Sequence, residues 1–196
     1  MSLKALSLGS AGSAADLIVI SSTTNATPIV ATFAANHGLK DGDRIAVAGV
    51  TGNTNANGEW TLAFTGATTA QLVGSAGNGT HGGTVRVAVV LDKTPHMAGH
   101  SALLDSFGNA VATVDIEAYG SYSDFASGYN TSGVSAPVVS ISGVTNSAGS
   151  ATTPAKSTLT AAATNAGFQG EVKLARYMRG VVTAYTSGTF NARVVA

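Results

Sequence analysis

From Val19 to Val89, short apolar, β-branched runs alternate with Gly-, Asn-, Asp- and Thr-rich breaks. That is the pattern of antiparallel strands joined by tight turns. Ile29–Phe33, Arg44–Val47, Glu59–Phe64, Thr69–Val73 and Thr84–Val89 read as strands. His37-Gly38-Leu39, Asp41-Gly42-Asp43, Thr51-Gly52-Asn53 and Asn57-Gly58 supply the turn chemistry between them. On the third of these strands Trp60, Leu62 and Phe64 share one face, which is expected to face the core. Asp16–Ile20 is a short β-prone run leading in.

The pattern divides the rest of the chain. Residues 1–17 are expected to form a flexible arm, rich in Ala, Ser and Gly, with Leu3, Leu6 and Leu8 as its apolar points and candidate assembly contacts. Such a segment is either disordered or laid on a neighbouring subunit. Residues 18–90 form the first module. Residues 91–101, punctuated by Pro95 and Gly99, read as a linker, and residues 102–196 as a second module.

In that second module Ala110–Tyr119 ends in clean alternation. Val114, Ile116 and Ala118 fall on one face, Asp115, Glu117 and Tyr119 on the other. Pro137–Ile141 is a further strand. Glu171–Arg179 reads as one strand, kinked at Gly180 before Val181–Tyr185 continues. A turn at Thr186-Ser187-Gly188 leads into Thr189–Val195. The expected fold is therefore all-β, a small β-barrel module followed by a β-sandwich, jelly-roll-like module.

The first module also carries a resemblance. Asn25-Ala26-Thr27-Pro28-Ile29-Val30, His37-Gly38-Leu39, Gly42-Asp43, Gly49-Val50-Thr51-Gly52-Asn53 and Asn57-Gly58-Glu59-Trp60-Thr61 follow one another in order. The series resembles the small β-barrel module of tailed-phage virion proteins, itself similar to the first catalytic-cysteine half-domain of ubiquitin-activating enzymes. The closing run Arg176-Tyr177-Met178-Arg179-Gly180-Val181-Val182 resembles, more weakly, the last hairpin of phage virion β-sandwich modules. The resemblance implies a structural role in a virion. It implies no activating chemistry, which would need a cysteine, and this chain has 0 Cys.

Composition agrees with a subunit that packs against others. Only 10% of residues are charged, against the roughly 25% of ordinary soluble domains. Ala, Gly, Ser, Thr and Asn must cover much of the surface, and such a surface loses little hydration when it is buried by a neighbour. A monomeric β-protein with short polar loops is the plainer alternative. The formal net charge of +0 points away from nucleic acid as a partner. No apolar run reaches the ~20 residues that span a bilayer. The opening residues make a poor signal peptide.

Candidate chemistry is sparse. His96 and His100 have the i, i+4 spacing of helical metal pairs, with Asp105 as a conceivable third ligand, but Pro95 and Gly99 oppose a helix there. The Asp115/Glu117 pair has the residue types of glycosidic acid–base chemistry, although neighbours two apart on a strand are ordinarily solvated. Tyr119, Tyr122, Phe125 and Tyr129 have two readings, a platform for a glycan or protein contact, or packing beneath a loop. Arg176, Arg179 and Arg193 make the end locally basic, with cross-strand pairing to Asp115 or Glu117 as their structural use. No phosphate-binding loop, nucleophile elbow or dinucleotide fingerprint is present.

The reading expected from sequence is a non-enzymatic, homo-oligomeric phage virion protein without cofactor or metal. It would decorate or cement the capsid surface against the major capsid protein or other virion subunits. The alternative is a tail or fibre component that binds a host-surface glycan through Tyr119–Tyr129. A glycan hydrolase is a third, lacking a convincing acid pair.

Overall fold

The computed structural model describes residues 5–11, 16–91, 102–108, 111–127, 140–145, 156–161, 168–173, 176–187 and 190–195. Among the described residues the fold is all-β with one short α-helix. In chain order the strands are β1 (Ala5–Ala11), β2 (Ile20–Thr23), β3 (Val30–Phe33), β4 (Arg44–Ala48), β5 (Gly58–Phe64), β6 (Thr69–Leu72) and β7 (Arg86–Val90). They continue as β8 (Ala102–Gly108), β9 (Val111–Tyr119), β10 (Ser140–Thr145), β11 (Lys156–Ala161), β12 (Phe168–Lys173), β13 (Tyr177–Ser187) and β14 (Phe190–Val195). Helix α1 is Tyr122–Ser127, and a 3-10 turn occupies Thr54–Ala56.

Every strand pairing among the described residues is antiparallel. A nine-stranded sheet runs β11-β9-β13-β7-β4-β5-β6-β3-β2, and a five-stranded sheet runs β1-β14-β8-β12-β10. The barrel expected over the first module is open, a half-barrel. Instead of closing on itself, its sheet continues from β7 to β13, where Val90 lies opposite Tyr177 and Val89 opposite Met178. One sheet thus joins strands from either side of the stretch read as a linker, most of which (92–101, with His96 and His100) lies outside the described residues.

The alternation in the sequence sets the core. On β4 the inward residues Ile45 and Val47 are buried, and on β7 so are Val87 and Val89. They pack with Ile20, Ile29, Phe33, Leu62, Leu72, Ile116 and Met178 in one cluster. Leu62 is buried, and Trp60 and Phe64 pack against the same cluster, the face expected of them. Trp60 also donates its indole N–H to the carbonyl of Ala56, 2.8 Å away. Gly49 shows why glycine is required between β4 and the 3-10 turn. Its φ is +87°, and a Cβ there would sit 2.2 Å from the carbonyl oxygen of Thr84.

Three differences from the sequence reading stand out. Where an arm is expected, β1 pairs with β14 of the same chain, Leu6 opposite Val194, and Ser7 donates its hydroxyl to the carbonyl of His37 at 3.1 Å. Leu3 lies outside the described residues. The run Glu171–Arg179 is not one strand, since β12 ends at Lys173 and β13 begins at Tyr177. Gly180 sits inside β13, opposite Ile116 on β9. It makes room for Leu17, whose Cδ1 would lie 2.2 Å from an added Cβ. Leu17 N–H donates to the Gly180 carbonyl at 2.9 Å, and Asp16 bridges to Val181, so this segment clasps β13.

Candidate functional site

The outer face of the central strands carries a concentration of aromatic and charged groups. Ala46 and Ala48 on β4 and Ala88 on β7 point away from the main core. Their small side chains leave a shallow floor, and α1 lays Phe125 onto it, completely buried. The helix starts with reciprocal capping. Asp124 N–H donates to the Ser121 hydroxyl at 3.2 Å, and that hydroxyl donates to the Asp124 carboxylate at 2.6 Å.

Around Phe125 the rings interlock. Tyr119 meets it edge-on with centroids 5.9 Å apart, Tyr122 at 6.0 Å, and Tyr177 stacks nearly parallel at 6.1 Å. The Arg86 guanidinium lies 5.7 Å from the Phe125 ring centre and 5.9 Å from that of Tyr119. Tyr119 and Tyr177 are buried as well, and Tyr122 is half-buried.

Two charged networks flank this cluster. In the first, Glu59 accepts hydrogen bonds from Arg44 at 2.9 Å, from Arg176 at 2.9 Å and from the Tyr177 hydroxyl. Burial works to raise the Glu59 pKa, but the bonds from Tyr177 and Arg176 outweigh it and hold the carboxyl below its ordinary value. Burial, then the bond to Glu59, pushes the Tyr177 phenol up to about 12.

In the second network Arg86 donates to the Tyr119 hydroxyl at 2.8 Å, and that hydroxyl donates to Glu117. Glu117 lies 3.6 Å from Arg86 and 3.5 Å from Arg179. Arg179 reaches both carboxylate oxygens of Asp16 at 2.7 Å. Burial first, and then the bond to Glu117, raises the Tyr119 phenol far above its usual range. The phenols thus stay protonated and Glu59 stays ionised through neutral pH. The arrangement locks one geometry.

Of the aromatic residues singled out by sequence, the structure brings Tyr119, Tyr122 and Phe125 together, while Tyr129 lies outside the described residues. Tyr119 and Phe125 turn their rings into the chain, the packing alternative of the two read from sequence. Tyr119 therefore does not stand on a solvated face. Cross-strand pairing of Arg179 with Glu117 is present as expected, with the two directly opposite on β13 and β9. Asp115 lies opposite Val181 on one side and Thr158 on the other. Sequence reasoning missed Glu59, Arg86 and Tyr177. The available signal was the alternating alanines of β4 and β7, which mark a face built to receive something large.

A loop cluster adjoins this site at the start of β5. Asn53, completely buried, donates to the Thr23 hydroxyl at 3.1 Å and the Thr24 carbonyl at 2.9 Å, and accepts from Asn78 N–H at 3.0 Å. Asn78 in turn accepts from Asn55 N–H at 3.1 Å and donates to the Thr54 hydroxyl at 2.8 Å. Asn57 acts as a strand would. It accepts from Val50 N–H at 2.9 Å and donates to the Val50 carbonyl at 2.8 Å. Tyr122 ties this end to α1 by donating its hydroxyl to the Val47 carbonyl at 2.7 Å.

No family model matches the chain, and no curated protein or solved structure matches it.

Proposed function

We propose that this chain is a non-enzymatic structural subunit of a tailed-phage virion, decorating or cementing the capsid surface against the major capsid protein. The observation that supports this reading best is where the charge goes. Asp16, Arg44, Glu59, Arg86, Glu117, Arg176 and Arg179 pair within the chain in two networks around a packed aromatic plug. A chain with so few charges, several of them already paired with one another, presents Ser, Thr, Asn and Gly to its surroundings. Such a surface packs against neighbours without like-charge repulsion. The order of short motifs from Asn25 to Thr61 supports the phage context, and the jelly-roll-like arrangement of the second module belongs to the same proposal.

A cement protein adds interface across joints that a packed genome strains. Particles lacking the protein are therefore expected to release their genome at lower temperature than complete particles, and purified protein added back restores the difference. Equal heat resistance with and without it would refute the cement role. The glycan-binding alternative predicts instead that Tyr122→Ala abolishes host adsorption and leaves particle heat resistance intact.

A further inference from the structure

The sequence contains two Asn-Gly steps, Asn57-Gly58 and Asn78-Gly79, and the loop cluster holds both. We propose that they are two spontaneous deamidation sites of graded protection, and that docking of α1 through Tyr122 gates the one at Asn57.

The chemistry needs no enzyme. The glycine nitrogen gives up its proton to solvent and attacks the asparagine Cγ. The bond from Cγ to Nδ2 breaks, ammonia leaves, and a five-membered succinimide forms. Water then opens either carbonyl to give aspartate or its isoaspartyl isomer. One water is consumed, one ammonia is released, and nothing is oxidised. Glycine favours the step because no side chain obstructs the nitrogen and its backbone rotates freely.

Two conditions must be met, a freely turning asparagine side chain and an unengaged glycine N–H. At Asn57 the fold denies both. Both polar atoms of its side chain are tied to the Val50 backbone, at 2.9 and 2.8 Å. Gly58 opens β5 and pairs directly opposite Val47 on β4. The Tyr122 hydroxyl donates to the Val47 carbonyl at 2.7 Å, so α1 docks on the very residue that Gly58 faces. Attack therefore requires the Val50 clamp to open and the start of β5 to part from Val47, which Tyr122 braces, a local unfolding event.

Asn78 is exposed, and its side chain is held by Asn55 and Thr54, which are exposed as well. Opening there disturbs two surface bonds and leaves the sheet intact. The consequences differ too. Conversion of Asn57 to aspartate would place a carboxylate oxygen where Nδ2 now donates to the Val50 carbonyl. The isoaspartyl form would add a methylene to the backbone at the start of β5.

The two sites share a dipeptide and so calibrate one another. The full-length protein is aged in mildly alkaline buffer, with and without denaturant, and each site is followed by peptide mapping and mass spectrometry. In denaturant the two rates are expected to agree within about two-fold. In the folded protein Asn78 is expected to react at least about ten-fold faster than Asn57, because opening at Asn57 is the rarer event. Tyr122→Phe should raise the Asn57 rate several-fold, by roughly the value of one released hydrogen bond, and leave Asn78 unchanged. Comparable native rates at the two sites would overturn the proposal, as would an Asn57 rate unmoved by Tyr122→Phe in a folded variant. A variant in which both sites reach their denatured rates has lost its fold, and the wild-type ratio then decides alone.

Discussion

Replacing Phe125 by Ala separates the two uses of the aromatic cluster. The ring is completely buried between the alanine floor of β4 and β7 and the rings of Tyr119, Tyr122 and Tyr177. Truncating a buried Phe to Ala costs about 3–5 kcal/mol, part transfer and part cavity. The interlocked tyrosine rings around it limit collapse into the space. A loss of about 4 kcal/mol is expected. With a urea slope of about 2 kcal/mol/M, the midpoint moves down by about 2 M. Trp60, the only Trp, reports the transition by fluorescence from its half-buried place on β5. A midpoint shift under about 0.5 M, equivalent to ~1 kcal/mol, would refute the packing account and return Phe125 to the role of a surface contact.

Three further outcomes follow from the same geometry. Asn53→Ala leaves the Thr24 carbonyl and the Asn78 N–H without their bonds to the buried Asn53 side chain. It is expected to cost about 2–6 kcal/mol, at ~1–3 for each of the two groups, measured by the same denaturation. Unfolded tyrosines ionise near 10 while folded Tyr177 holds its proton up to about 12. Between those values the folded chain binds more protons, so stability is complete below pH 10 and falls as pH rises towards about 12. Tyr177→Phe should flatten that decline in thermal melts. Glu59 has the opposite sign. Its pKa is lowered from 4.5, so its contribution is present above that value and lost as pH falls below it, and Glu59→Gln should reduce the acid sensitivity of the melting temperature.

The strands β3 to β7 were legible because each is a short apolar run bounded by its own turn residues, so local chemistry alone marks its ends. The inward face of β9 was legible for the same reason. What sequence could not show depends on partners far away in the chain. Ala5–Ala11 is too rich in Ser, Gly and Ala to declare itself a strand, and β14, which pairs with it, lies at the opposite end of the chain. The Arg179–Asp16 pair spans 163 positions. Helix α1 hides in a Gly/Ser-rich stretch, yet Ser121 and Asp124 have the spacing of a capping pair and could have marked it. The aromatic residues were found from sequence, but their direction was not. Whether Tyr119 faces water depends on what α1 does with the outer face of β4 and β7, and only the small alanines there hint at it.

The central functional claim is tested most directly by locating the protein in intact particles with a gold-labelled antibody and electron microscopy. Label distributed over the head surface is the expected result. Label confined to the tail, or absent from purified particles that otherwise carry their full set of proteins, would contradict it.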